Sequence, residues 1–284
     1  MELIRGLHNL RPRHHGCVAT IGNFDGVHLG HQHVLGELAQ KAAALKVPAV
    51  VITFEPQPQE WFRPQECPAR LTRFREKILA LRRLAVDRVL VLSFNQKLAS
   101  MAPAEFVQQV LVDGLGIRHL VVGDDFRFGA KRAGDFAYLQ QAGTEFGFSV
   151  ENMRSFEVEG ARVSSTGIRD ALAVGDLQAA ARLLGRPYRM NGRVAHGDKK
   201  GRTIGFPTAN IHLHRKVSPI KGVFAVEVYG IPGEPVAGVA NVGTRPTVGG
   251  TRLQLEVHLF DFNAEIYGHH VSVDFLQRIR DEQR

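Results

Sequence analysis

Cysteine is nearly absent: Cys17 and Cys67 are the only two in 284 residues, too few for a disulfide framework or a cysteine zinc site. A reducing cytoplasm is the expected compartment. No apolar run approaches the roughly 20 residues that a membrane span needs. The opening Met1-Glu2-Leu3-Ile4-Arg5-Gly6 lacks the basic-then-apolar order of a signal peptide. Neither a Walker A loop nor the protein-kinase motif set is present, and there is no internal repeat, low-complexity stretch or basic tail. The formal net charge of +8 is spread over both halves of the chain. Such a balance suits small anionic ligands such as nucleotides. Without a stacking motif or a basic stripe it gives no footing for nucleic acid, and nothing points to a membrane partner.

What is there falls into two rhythms. Over the first 150 residues, short β-branched runs alternate with helical patterns. Val18-Ala19-Thr20-Ile21 is followed by Val34, Leu35, Leu38, Ala42 and Leu45 at helical spacing. Ala49 to Phe54, Arg88 to Leu92 and His119 to Val122 read as further buried parallel strands, and Pro103 sits at an early helical position. This pattern predicts an α/β fold with a doubly wound sheet, whose ligands lie beyond the carboxyl ends of the strands. Near Arg186-Pro187-Tyr188 the rhythm changes to closely spaced strands punctuated by glycine. Leu253, Leu255, Val257 and Leu259 alternate with Gln254, Glu256, His258 and Phe260, a period of two. The second part is expected to be a small antiparallel β-barrel. Domains of 1–185 and 186–284 follow.

The strongest local pattern is Gly22-Asn23-Phe24-Asp25-Gly26-Val27-His28-Leu29-Gly30-His31. A strand ends in a glycine-rich turn, and a helix begins at two histidines. Helix N-termini present unpaired N–H groups and a positive dipole end, which favour phosphate. Gly30 admits close approach of a nucleotide, and His28 and His31 can donate ring N–H bonds to phosphate oxygens. The pattern resembles the HxGH motif of the nucleotidyltransferase superfamily, and the longer string is similar to the bacterial bifunctional riboflavin kinase/FAD synthetase family. Thr53-Phe54-Glu55-Pro56, Gly123-Asp124-Asp125-Phe126-Arg127-Phe128-Gly129 and Ser164-Ser165-Thr166-Gly167-Ile168-Arg169 extend the resemblance. The last is also an ordinary N-cap sequence.

The resemblance implies a Rossmann-like nucleotidyltransferase domain that adenylylates FMN, with His28 and His31 as catalytic residues. It implies nucleotide contacts from Gly22, Asn23, Asp25, Gly30, Asp125, Arg162, Ser165, Thr166 and Arg169. Many members carry His between the two prolines after Phe54-Glu55. Gln57 stands there in this chain, so position 57 is left out of the site.

In the second part, Pro207-Thr208-Ala209-Asn210 resembles a motif of the riboflavin kinase barrel. Its Thr208 hydroxyl and Asn210 amide are hard oxygen ligands suited to Mg²⁺ beside ATP phosphates. Gly205, with the other glycines between 192 and 205, would let a loop fold over the nucleotide. The resemblance also implies that Glu256 is the base accepting the ribityl hydroxyl proton. Asn241-Val242-Gly243-Thr244-Arg245-Pro246-Thr247 matches the family and is expected to form a loop near the substrates, without revealing its contacts. The paired histidines His14-His15 and His269-His270 read as exposed loop residues.

Matches run in order from about Gly22 to Asp281, so the expected activity is ATP-dependent conversion of riboflavin to FMN and of FMN to FAD, with small molecules as the only partners. The sequence stops at Arg284, where a further helix is expected and its lack would weaken the kinase. Two rivals stand beside this reading: another HxGH adenylyltransferase with a non-catalytic barrel, and a nucleic-acid-binding barrel protein.

Overall fold

A computed structural model describes residues 1–195, 208–215, 217–231, 235–247 and 250–282. Contacts divide the chain into two units: residues 1–68 with 77–162, and residues 69–76 with 163–284.

The first unit contains β1 (Glu2–Arg5), β2 (Cys17–Ile21), α1 (Leu29–Leu45), β3 (Ala49–Glu55), α2 (Pro58–Phe62), most of α3 (Phe74–Leu81) and β4 (Arg88–Ser93). It continues through α4 (Gln96–Ala99), α5 (Pro103–Phe106), β5 (Ile117–Gly123), α6 (Phe136–Phe146), β6 (Ser149–Met153) and the small β7 (Glu157–Val158) and β8 (Ala161–Arg162) hairpin. Six strands form one parallel sheet in the order β1-β4-β3-β2-β5-β6. Every residue of β2 is buried, as a strand covered on both faces requires. α1 turns Leu35, Leu38 and Ala42 inward at spacings of three and four. The winding direction reverses between β2 and β5, so the carboxyl ends of those two strands flank the crevice where such sheets bind ligands.

The second unit opens with α7 (Ser165–Val174) and α8 (Leu177–Leu184). Ser164 and Asp176 cap their N-termini by accepting from Gly167 and Ala179 N–H, and Gly175 and Gly185 end them in left-handed conformation. Then come β9 (Tyr188–Ala195), β10 (Thr208–His212), β11 (Gly222–Tyr229), β12 (Val236–Thr247), β13 (Gly250–Leu259) and β14 (His270–Arg280), closed into a barrel in the order β10-β13-β12-β11-β14-β9. Alternate residues, such as Phe224, Val226 and Val228 of β11, fill the interior. β9 alternates as cleanly, with Tyr188, Met190, Gly192 and Val194 buried, and Val271, Val273 and Phe275 of β14 do the same.

Residues 69–76 belong to this barrel unit through Leu71, fully buried in its hydrophobic core, and through polar contacts. The Glu76 carboxylate accepts from Arg215 Nη2 at 2.6 Å, from the Arg73 N–H at 2.7 Å and from the Asn191 N–H at 3.0 Å. The side chains of Glu76 and Arg215 are 3% and 2% exposed, so burial of the carboxylate is offset by the guanidinium and the two backbone N–H donors that meet its oxygens. The Tyr188 hydroxyl donates to the Leu71 carbonyl at 3.2 Å, and Arg169 Nε donates to the Ala69 carbonyl at 2.7 Å.

His269 and His270 are exposed as expected, and so is His15. His14 is not: it is 1% exposed. Its Nδ1 accepts from the Arg11 N–H at 2.9 Å, and its Nε2 lies 3.3 Å from the Glu2 carboxylate. A short turn at Pro12–His14 folds the ring inward, a local geometry that neighbouring residue types do not reveal.

Candidate functional sites

The turn after β2 is conformationally strained. Phe24 and Val27 have φ of 48° and 45°, with Gly26 at 85° between them. Left-handed backbone costs a non-glycine residue about 1–3 kcal/mol, most for a β-branched one. That strain carries the chain from the strand end into α1 within a few residues. His28 is the N-cap of α1, and its Nδ1 accepts from the His31 N–H at 3.3 Å. A neutral His28 therefore carries its proton on Nε2. The two rings stack with centroids 3.6 Å apart and planes at 18°, and Phe24 lies 5.0 Å from the His31 ring. Burial, then the charges of His28 and Lys77, hold the His31 pKa well below its ordinary 6.5.

Two buried polar atoms at this turn, Asn23 Oδ1 and His31 Nδ1, have no hydrogen-bond partner among the described residues. Polar atoms sealed from water without partners are rare and mark a place for a ligand or a water. Asp25 and His28 are buried, and Gly30 lies in the first turn of α1, where the helix N–H groups are free of intrahelical bonds. Gly22 donates its N–H to the Ile52 carbonyl at 3.0 Å, tying the turn to β3. The structure thus brings Gly22, Asn23, Asp25, His28, Gly30 and His31 together. Gln57 is buried at the N-cap of α2, with Nε2 unpartnered.

Asp125 and Arg162 meet each other. Arg162 Nη2 lies 3.0 Å from Asp125 and 3.5 Å from Asp124, all three side chains being substantially exposed. An exposed pair of this kind is weak and exchanges readily for a charged ligand. Ser165, Thr166 and Arg169 belong to the second unit, in the first turns of α7.

On the barrel, strand register places side chains from distant segments in one row. Glu256 of β13 is paired with Asn210 of β10 on one side and Asn241 of β12 on the other. Leu255 and Val257 point into the core, so by alternation the row Asn210–Glu256–Asn241 faces outward. Thr208 pairs with His258 on the same face. The Asn210 Oδ1 accepts a bond from the Gln254 amide, while the Asn241 Oδ1 is buried with no partner among the described residues. Gly205 lies outside the described residues. The loop expected at 241–247 is instead the second half of β12: the strand runs on past Ala240, because its backbone pairs with β13 through to Thr247 and Gly250, and the facing of Asn241 and Glu256 could not be read without that register.

The FAD synthetase family matches residues 10–167 and the riboflavin kinase family residues 184–284. The bifunctional riboflavin kinase/FMN adenylyltransferase of Pseudomonas fluorescens is 55% identical over 100% of this chain and 91% of its own length.

The chain belongs to the bifunctional riboflavin kinase/FMN adenylyltransferase family.

The members from Haemophilus influenzae and Escherichia coli are 56% and 52% identical, covering 99% and 100% of this chain and 92% and 91% of theirs. A crystal structure described as a macrolide-efflux protein from Streptococcus pneumoniae shares the fold with a TM-score of 0.84 and 32% identity, over 100% of this chain and 93% of that one. Among the described residues here, no helix is long and apolar enough to cross a membrane.

For this family, the α/β unit and the closed antiparallel barrel are the expected architecture, and both are present. Cys17 is fully buried, and burial pushes its thiol up to about 12, so it is no nucleophile at neutral pH.

Proposed function

We infer that the chain carries out both reactions of its family, phosphorylation of riboflavin to FMN and adenylylation of FMN to FAD, at two places, each with its own ATP. Adenylyl transfer belongs to the β2–α1 turn. A phosphate oxygen of FMN attacks the α-phosphorus of ATP, and pyrophosphate leaves. The attacking group is already an anion, so positioning and charge neutralisation carry the rate. His28 donates from Nε2 to phosphate oxygens, and the α1 N-terminus with Gly30 receives the nucleotide. His31 stays neutral and holds His28 by stacking and by its N–H bond. Asn23 orients the bound nucleotide through its amide, and the Arg162–Asp125 pair opens to meet it.

Phosphoryl transfer belongs to the outer face of β10, β13 and β12. Glu256 accepts the proton of the ribityl terminal hydroxyl as its oxygen bonds to the γ-phosphorus and ADP leaves. The hard oxygens of this row fit Mg²⁺. Among the described residues no three His, Cys, Asp or Glu side chains could cage a metal, which suits an ion that keeps water and phosphate ligands. Thr208 and Asn210 would hold it, the Asn210 Oδ1 exchanging its Gln254 bond, and the ion would neutralise phosphate charge. The partners are small molecules, and the working compartment is the cytoplasm.

The observation that carries this reading is the alignment of Asn210, Glu256 and Asn241 on a barrel attached to a chain that also has the stacked histidine N-cap. Incubation with riboflavin, ATP and Mg²⁺, with products resolved by chromatography, should show FMN appearing first and FAD following. Folded protein that forms neither product would overturn it.

A further inference from the structure

We propose that Asn241 positions the flavin's side chain for phosphorylation: its amide oxygen accepts a hydrogen bond from a secondary ribityl hydroxyl and so sets the terminal hydroxyl against Glu256. The inference rests on the placement of phosphoryl transfer on the β10–β13–β12 face. Asn241 stands directly opposite Glu256 in the ladder, close enough for two side chains on one face to share a small ligand. Its Oδ1 is sealed from solvent and has no hydrogen-bond partner among the described residues. An amide oxygen only accepts, so its complement is a donor.

The strand neighbours supply none. Along β12 the residues on the same face are Val239 and Gly243, and across the ladder to β11 the partner is Val223. Glu256, when ionised, is itself an acceptor, and Asn210 already receives the Gln254 amide. Two adjacent acceptors, Asn241 and Glu256, match the successive O–H donors of a polyol. ATP phosphate oxygens bring no donors and would meet the Asn241 oxygen with like partial charge. The row therefore distinguishes its two substrates by hydrogen-bond polarity: the alcohol on the Glu256–Asn241 side, the phosphates on the Asn210–Thr208 side.

The test uses Asn241→Leu, which keeps the branched shape and removes the acceptor, together with Asn241→Thr, which restores an acceptor on a strand-compatible side chain. Intact adenylylation of supplied FMN and an unchanged melting temperature serve as folding controls. Asn241→Leu should raise KM for riboflavin, and the Kd from flavin fluorescence titration, by about tenfold, the size of one lost hydrogen bond. KM for ATP and the Mg²⁺ requirement should not move, and Asn241→Thr should fall between. Among riboflavin analogues lacking the 2′-, 3′- or 4′-hydroxyl, one should suffer this loss with the unaltered enzyme and none further with Asn241→Leu. Unchanged riboflavin affinity, or equal losses for all three analogues in both proteins, would overturn the proposal. A shifted Mg²⁺ requirement would overturn it too, by making Asn241 a metal ligand. Phosphorylation that survives Glu256→Gln would instead remove the site assignment beneath it.

Discussion

In the parallel-sheet unit the polar cluster comes from consecutive residues, Gly22 to His31, whereas in the barrel Asn210, Asn241 and Glu256 come from three strands and meet only through register. The first cluster depends on local backbone: a strand end, left-handed turn residues and a helix start. The second depends on closure of the whole barrel. A site of the first kind is encoded by order in the chain, and one of the second kind by pairing between distant segments. The two therefore should fail separately and for different reasons.

The sharpest way to break this comparison is to remove one group from each cluster. Glu256→Gln should lower FMN formation by roughly 10²–10⁴-fold, the usual contribution of a general base, while supplied FMN is still converted to FAD. His28→Ala should lower FAD formation by roughly 10²–10³-fold, as loss of a donor to developing charge does, with riboflavin phosphorylation intact. Chromatographic product analysis reads both, and parallel loss of the two activities in either folded variant would refute separate clusters.

Next in size is the dependence of the barrel on its buried ion pair. Arg215→Ala leaves Glu76 buried without its strongest partner, and should destabilise the barrel unit by roughly 3 kcal/mol. Thermal inactivation of the kinase at a lower temperature is the measurement; an unchanged midpoint would mean that the pair contributes nothing net.

The smallest effect concerns acid. The folded-state pKa of His31 lies well below 6.5, so below pH 6.5 the unfolded chain takes up a proton that the folded chain refuses. Stability is then full above pH 6.5 and is lost as pH falls from there towards the folded value. Urea unfolding between pH 7.5 and 5 should show this decline, and His31→Gln should flatten it. An identical slope in the variant would place the acid sensitivity elsewhere.

The α/β alternation was legible because each buried strand is a short β-branched run and each helix shows its own apolar face. The turn from Gly22 to His31 was legible for the same reason: its chemistry is contiguous. The ring stack was not, because spacing alone does not show that His28 caps the helix through Nδ1 and turns its ring onto His31. Glu256 could be assigned a face from the alternation of Leu255 and Val257, yet its neighbours Asn210 and Asn241 lie 46 and 15 positions away and appear only with the ladder in hand. The inward turn of His14 and the attachment of residues 69–76 to the barrel escaped for a related reason. Neither leaves a periodic trace: the segment is held by contacts with partners remote in the chain, and His14 by one short turn.

The attachment of residues 69–76 matters to anyone who dissects the gene. A fragment begun at Pro187 would look complete on a strand diagram, with all six staves of the barrel. It would nevertheless part Arg215 from the Glu76 carboxylate and the Arg70 carbonyl, and Tyr188 from the Leu71 carbonyl. Supplying those eight residues as a separate peptide, or splicing them ahead of Val163, is the natural way to make an excised kinase whole.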